Sequence, residues 1–385
     1  MFLLRLLFKN AFRHKLRSWL TILSVTIAIL AFGLLQTVVD GFYSGVKRAS
    51  VNRIVTRNAI SMTFPLPLAY EEKIKQIAGV NEISAMAWFG GIYIDEKHFF
   101  PNFAVEPASF VRLYSEYVFE PGELRTFLRD RKGAAAGRKL AERFGWKVGD
   151  LITLKGTIYP GNWEFVLRMI YDGRDESADE RLFFFHWDYL NEALKQTSKG
   201  RADQVGLYIV GVDRGDMAAD VAAEIDRTFR NSMAETLTET EKNFNLSMIS
   251  MADSLIMIIR LVSLVVIVII AAVAANTMSM TTRERLGEFA VLKTLGFGGG
   301  RIGSLIFGES LVIALSGCII GAFLTYPAAH LFRQFLGAIF PAFVVSHKTI
   351  YLDLAAGLGV GCVAAIVPTW RAIRVRIADG LRRIG

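Results

Sequence analysis

The sequence predicts an integral membrane protein with four transmembrane α-helices and a large α+β extracytoplasmic domain inserted between helices 1 and 2. Three observations carry that expectation. Hydrophobic residues make up 52% of the 385 residues, and they cluster in four long runs instead of spreading by period. Positive charge gathers beside the ends of those runs. Between the first two runs, about 210 residues mix strand-like and helix-like patterns. With only 21% of residues charged, the composition excludes intrinsic disorder, which needs low hydrophobicity and high charge.

Residues 1–17 open the chain with Arg5, Lys9, Arg13 and Arg17 at every fourth position, while Phe2, Leu3, Leu6, Leu7 and Phe12 fill much of the remaining surface. That pattern predicts an amphipathic basic helix lying in the inner interface. Ser18 to Val39 then runs 22 residues without a charge. At ~1.5 Å per residue this reaches roughly 33 Å, enough for a hydrocarbon core of about 30 Å, so 18–40 is the first span. The run exceeds the apolar region of about 7–15 residues found in a cleaved leader, and no small-x-small site closes it. It is expected to remain as an anchor.

Leu261 to Thr282 is likewise uncharged for 22 residues, and 254–282 is read as a second span with a stalk. The third, 302–331, is broken only by Glu309 and His330, and the fourth, 350–370, only by Asp353. Charge orients them. Residues 1–19, 281–301 and 371–385 together hold fourteen basic and three acidic residues, a net of +11, which leaves −3 for the rest of a chain whose total is +8. Threading four spans in order places all three segments on one side, as the positive-inside rule requires of cytoplasmic loops. Both termini and the 283–301 connection are therefore expected in the cytoplasm, with 41–253 and the short loop 332–349 outside. A charge excess confined to membrane flanks also argues against nucleic-acid binding.

Within 41–253 the pattern predicts helices at 68–78, 137–144 and 216–230, and strands at 82–94, 99–105, 151–154, 164–170 and 204–211. Residues 171–181 pack seven charges into eleven positions and read as a mobile surface loop. Phe183-Phe184-Phe185-His186-Trp187 reads as a strand with half of its aromatics in the core. From Ala218 through Ser254 helical character continues toward span two, which suggests one helix crossing the membrane boundary.

Catalytic chemistry is missing. His14, His98, His186, His330 and His347 are far apart, and there is no HExxH, GxSxG or Cys/His ladder. Cys318 and Cys362 both lie inside spans and read as small packing residues, not an exported disulfide. Gly298 to Ser304 has the glycine spacing of a phosphate loop but lacks its lysine, so no nucleotide is expected here and no cofactor in this chain. Inside the membrane, Gly317 and Gly321 in span three, and Gly357, Gly359 and Gly361 in span four, provide small faces for close helix approach, within the chain or between protomers. Glu309 lies eight residues past Arg301, about 12 Å along the helix, within reach of the inner interface or of a polar partner.

The run Thr282-Arg-Glu-Arg-Leu-Gly-Glu-Phe-Ala-Val-Leu-Lys-Thr-Leu-Gly-Phe297, followed by Arg301-Ile302 and Phe307-Gly308-Glu309-Ser310-Leu311, resembles the signature of FtsX-like permeases. Pro368-Thr-Trp-Arg-Ala-Ile-Arg374 with Ala378-Asp-Gly-Leu-Arg382 is similar to that family's ending, and Leu16-Arg-Ser-Trp-Leu-Thr-Ile-Leu23 to its first-span entry. Gly137-Arg-Lys-Leu-Ala-Glu-Arg-Phe-Gly-Trp-Lys-Val-Gly-Asp-Leu151 resembles the periplasmic core domain of MacB-type permeases.

The resemblance implies the permease subunit of a MacB/LolCDE-type ABC transporter in a cell inner membrane, without a fused ATPase domain. Such a subunit pairs with a second permease copy, identical or not, sits among membrane lipids, and is driven by a cytosolic ABC ATPase dimer that binds ATP-Mg. It has room for a periplasmic partner. ATP-driven motion would then be transmitted to the outer domain to extrude or extract a lipid, lipoprotein or peptide; an FtsX-like relay activating an external hydrolase is the alternative. The coupling helix maps onto Gly287 to Gly296. Phe289, Leu292 and Leu295 recur there at i, i+3, i+6 as a stripe, with Glu288 and Lys293 for polar contacts. Gly298-Gly299-Gly300 departs from the family's more polar stretch and suggests a looser hinge after that helix.

Overall fold

The computed structural model describes residues 10–13, 15–43, 46, 49–174, 178–336 and 345–374. Most of the expected N-terminal amphipathic helix, the middle of the 332–349 loop, the tail beyond Arg374 and the centre of the charged 171–181 segment lie outside the described residues. The chain forms two compact units, one from Met1–Phe42 with Ala252–Gly385, the other from Tyr43–Met251.

The helices are α1 (Lys15–Phe42), α2 (Tyr70–Lys75), α3 (Pro107–Leu113), α4 (Pro121–Arg129), α5 (Arg138–Phe144), α6 (Trp187–Thr197), α7 (Ala218–Thr228), α8 (Glu241–Ser250), α9 (Asp253–Glu284), α10 (Leu286–Thr294), α11 (Gly299–Leu336) and α12 (His347–Arg374). The strands are β1 (Arg53–Asn58), β2 (Leu66–Pro67), β3 (Val80–Trp88), β4 (Ile92–Tyr93), β5 (Asn102–Val105), β6 (Tyr117–Val118), β7 (Gly133–Gly137), β8 (Leu151–Gly156), β9 (Gly161–Gly173), β10 (Phe183–His186), β11 (Gln204–Val205), β12 (Leu207–Val212) and β13 (Thr236–Thr240).

In the first unit, α1, α9, α11 and α12 are each long and apolar enough to cross a membrane. An uncharged run of this length satisfies its own backbone as a helix, the one open structure that hydrocarbon tolerates. Small residues set the packing. A Cβ at Gly317 would lie 2.8 Å from the Ile22 carbonyl and from Val25 Cβ, and one at Gly321 would lie 2.9 Å from the Thr26 carbonyl and from Ile29 Cβ. Thr26 Oγ1 also donates to the Gly317 carbonyl at 3.1 Å. Gly357 backs onto Cys318, and Gly361 onto Ala314, which brings α12 against α11. Gly359 faces open space. Asp353, near the start of α12, is fully buried, and neither carboxyl oxygen has a hydrogen-bond partner among the described residues. Its Oδ2 would lie 2.7 Å from a Cβ at Gly33, so a larger residue there would have to displace the carboxylate. Of the four helices α9 is the least buried; Met257, Leu261, Leu264 and Val268 point outward, at no cost in a lipid environment as apolar as they are.

The second unit is a mixed sheet of eleven strands in the order β13-β1-β12-β3-β5-β10-β7-β9-β8-β4, with β6 on β9, and a small β11-β2 ladder beside it. The β5/β10 and β7/β9 pairs are parallel. Its centre explains the aromatic cluster. Phe183 and Phe185 enter the core on one face with Ile83, Phe89 and Phe165, whereas Phe184 enters the other with Phe110, Phe127 and Tyr171. All four residues of β10 are buried, where alternation alone puts only half inside, because helices cover both faces of a central strand. The neighbouring β7, Gly-Ala-Ala-Ala-Gly, is buried throughout; its small side chains leave the volume to the aromatics of β9 and β10.

Two further expectations are corrected. The charged segment after Ile170 is not free along its described length: Tyr171, Asp172 and Gly173 finish β9, Asp172 pairs with Arg138 at 2.8 Å and Glu180 with Lys139 at 2.7 Å. Two of the charges in this segment have partners on α5, and Arg181 pairs with Asp179 within it. The continuous helix from 218 to 254 is also broken, since α7 ends at Thr228 and Asp226 accepts from the Thr238 amide at 3.0 Å, closing a turn into β13. Thr238 and Thr240 are β-branched, favouring strand, and Thr240 Oγ1 caps α8 by accepting from the Asn243 amide.

Two outcomes follow. Gly317→Val forces apart α1 and α11 and lowers the thermal midpoint of the detergent-solubilised chain, whereas Gly359→Val, over open space, leaves it within error. His186, buried at the N-cap of α6, donates from Nε2 to the Phe127 carbonyl at 2.7 Å, and burial pushes its pKa below the ordinary histidine value. The unfolded chain therefore takes up this proton more readily, so the stability is present above about pH 6.5 and is lost as pH falls below it. His186→Asn flattens that acid limb in pH-resolved unfolding curves.

Candidate functional site

The expected coupling segment is a separate nine-residue helix, α10. Helix α9 stops at Glu284, and Arg285 leaves helical geometry before α10 begins. At that corner Arg285 is 7% exposed. Its Nη1 donates to both carboxylate oxygens of Glu309 on α11, at 2.7 and 3.0 Å, and its Nε donates to Glu288 at 3.1 Å. The plane lies 5.3 Å from the Phe289 ring centroid. Glu309 is 8% exposed. Neither charge would be tolerated alone, and together with their hydrogen bonds they satisfy each other.

The corner is braced from α1 and the residues before it. Arg13 Nη1 reaches Glu288 at 2.7 Å, and Arg17 grips Glu284 through two nitrogens at 2.6 and 2.9 Å. These pairs are half-exposed and each is worth about 0–1 kcal/mol; they orient more than they stabilise. Partial burial works to raise the Glu288 carboxyl, but the hydrogen bond and charge of Arg285, helped by Arg13, outweigh it and hold it below the usual glutamate range.

The two sides of α10 differ. Phe289 is buried against Ile302, Ile306 and Ala372, with Leu286 and Leu292 packed at the edge, and Ala290 is buried as well. Lys293 Nζ donates to the Ile373 carbonyl at 2.8 Å. Gly296 takes φ +88°, and the Phe297 amide donates back to the Leu292 carbonyl at 3.0 Å, a left-handed stop that favours glycine. What remains outside is Val291 at 43%, Leu295 at 70% and Phe297 at 44% exposure, with Gly287 half-buried beside them. The predicted stripe of Phe289, Leu292 and Leu295 is therefore split: Phe289 faces inward, Leu292 sits at the boundary, Leu295 faces outward. At the expected looser hinge, Gly299 and Gly300 form the first turn of α11 and Gly299 rests on Ile373.

Sequence reasoning singled out Glu309 and Glu288 but missed Arg285 and Arg13 as their partners, missed the Arg17–Glu284 pair, and missed Val291 and Phe297 as surface. Glu309 and Arg285 are 24 residues apart, beyond any helical period; the available signal was that an apolar run containing one carboxylate needs a nearby cation. Among the described residues no three of His, Cys, Asp and Glu converge as metal ligands would.

Comparison with known proteins gives the same layout. The model of the MacB-like periplasmic core domain matches residues 18–228, more than half of the chain, and that of the FtsX-like permease C-terminal region matches residues 260–377. An uncharacterized ABC transporter permease of Methanocaldococcus jannaschii is 22% identical over 332 residues, which is 82% of this chain and 80% of that protein. Among solved structures, the extracellular domain of the ABC-type transporter YknZ from Gram-positive bacteria has a TM-score of 0.36 at 14% identity, covering 49% of this chain and 100% of that one. The periplasmic region of MacB from Actinobacillus actinomycetemcomitans has a TM-score of 0.37 at 5% identity, covering 53% and 95%.

Removing one member of the buried pair exposes its cost: Arg285→Ala destabilises the α9–α10–α11 corner by about 3–5 kcal/mol. Arg285→Met combined with Glu309→Leu recovers most of that loss, as read by thermal unfolding of the two variants in one detergent.

Proposed function

Because the chain belongs to the MacB/FtsX-type ABC transporter permeases, we propose that α10 is the docking element for a separate cytosolic ATPase that binds ATP-Mg and drives this multi-pass membrane subunit. The observation that carries this reading is the two-sided character of α10: one side is built into the bundle, and the other leaves Val291, Leu295 and Phe297 exposed at the basic end of the spans. A surface of three apolar side chains beyond the hydrocarbon region favours a protein partner.

In this reading a push on Leu295 and Val291 passes through Phe289 into Ile302, Ile306 and Ala372, and through Arg285 into Glu309. Both routes end on α11 or α12, and α11 is packed against α1 through Gly317 and Gly321. Helix α1 runs into the inserted domain and α9 leaves it, so motion of the spans has two covalent routes to that domain. We take this as mechanotransmission that extrudes or extracts a lipid, lipoprotein or peptide on the outer side of an inner membrane, with both termini cytoplasmic and a second permease copy completing the assembly. Glu288 and Lys293 serve on this reading to hold α10 in place, since both are engaged within the chain.

The test separates the two sides of α10. Leu295→Asp with Val291→Asp abolishes co-purification of the ATPase and its permease-stimulated ATP hydrolysis while leaving thermal stability near wild type, as surface substitutions do. Phe289→Asp instead lowers stability of the permease itself. Full retention of the ATPase by the double surface variant overturns the assignment of α10. Release of labelled lipid or peptide from proteoliposomes distinguishes transport from relay.

A further inference from the structure

We propose that the inserted domain carries a binding site for a phosphate group, in the open groove between α4 and β9. The groove encloses about 680 Å³ and is lined by Gly122, Arg125, Thr126, Arg129, Asp130 and Arg168, a volume typical of small-ligand sites. Three arginines line it against one aspartate.

Two of the arginines come from α4 and the third from β9. Arg125 and Arg129 stand four residues apart on the exposed side of α4, an arrangement of like charges that destabilises a helix. A helix C-terminus favours the cation at Arg129 but gives no reason for Arg125, one turn earlier. Among the described residues neither has a carboxylate at ion-pair distance; Arg125 Nε donates only to the Pro121 carbonyl of its own helix. Arg168 is delivered by a β-bulge: opposite β7, Ala134 pairs with Leu167 and Ala135 with Met169, leaving Arg168 as the extra residue. The bulge reverses the facing of the strand, since Leu167 belongs to one core and Met169 to the other. Bulges commonly re-aim a side chain in this way.

The stem of Arg168 then needs room, and β7 provides it. A Cβ at Gly133 would come within 3.2 Å of Arg168 Cγ and 2.7 Å of the Asp130 carbonyl. Asp130 orients Arg168 through Nε at 2.8 Å, and its other oxygen accepts from the Lys132 amide at 3.0 Å. Both carboxylate oxygens are thus engaged, and the groove keeps an excess of two positive charges. Lys132 itself turns away, its Nζ lying 6.0 Å from the Tyr189 ring centroid. Behind the groove, Phe127 is 1% exposed and His186 holds its carbonyl, so α4 is fixed against the sheet.

A carboxylate would need one guanidinium. An excess of two positive charges and several forked donors instead match a phosphate group, which carries about −1.5 to −2 as a monoester and offers three acceptor oxygens. The phosphate belongs to a small soluble ester or to a lipid headgroup, and the shared chemistry is the recognition of its oxygens.

The test uses the full chain in a non-ionic detergent, titrated calorimetrically at low ionic strength with inorganic phosphate, pyrophosphate and a short-chain phosphatidic acid below its micellar concentration. Saturable binding of all three at one site is expected, weakening with salt. Arg125→Gln with Arg129→Gln is expected to weaken it by about tenfold or more per arginine removed, at an unchanged thermal midpoint, while Arg230→Gln, on an exposed surface elsewhere, changes nothing. Equal affinity for pyrophosphate and the short-chain lipid assigns the site to soluble phosphates; much tighter lipid binding assigns it to headgroups. Absence of saturable binding by the wild type, equal binding by the double variant, or binding of an acidic peptide without binding of phosphate overturns the proposal.

Discussion

An arginine buried where two helices meet has to be paired, and Arg285 finds its partner in Glu309 on the next long helix. The pair fixes the corner between α9 and α10, and that angle decides everything about the short helix that follows. With Arg285 turned inward, Phe289 is carried onto Ile302, Ile306 and Ala372, Glu288 falls between Arg285 and Arg13, and Val291 and Leu295 are left on the outside. A helix of nine residues has little stability of its own in water. Here it is held by a buried ion pair at one end, an aromatic anchor in the middle and a left-handed glycine stop at the other.

The bundle obeys a different constraint. Helices in hydrocarbon gain nothing from hiding apolar side chains, so association depends on how closely backbones can approach. Gly317 and Gly321 admit α1, Gly357 and Gly361 bring α11 against α12, and Gly33 accommodates Asp353. In the inserted domain water restores the hydrophobic drive, and the design reverses: the centre of the sheet is filled with phenylalanine from β10 beside the small residues of β7. The same chain therefore packs by small residues in one unit and by large aromatic ones in the other.

The spans and the inserted domain were legible because they are written in local runs, and the coupling helix through the resemblance of its segment to the FtsX-like signature. Twenty-two uncharged residues have one stable structure in a membrane, and charge beside them carries an orientation signal. Strands β3, β5, β8, β9 and β12 were visible through their apolar pattern, whereas β7 was not, since alanine and glycine are poor strand formers and only burial on both faces makes them suitable. The aromatic cluster was read as half core for the same reason: the number of layers around a strand is not a local property.

Composition and period therefore carry four spans, a mixed α and β insertion and glycines placed for close packing, while the short helix after the second span came through the resemblance to FtsX-like permeases. Tertiary structure decided which partner each charge takes and which side of each short helix is left over. Arg285 with Glu309, Arg17 with Glu284, and Arg168 turned into its groove by a bulge all join residues that no helical or strand period relates. An ion pair or a re-aimed side chain depends on distance in space, and that distance exists only once the helices and strands have packed.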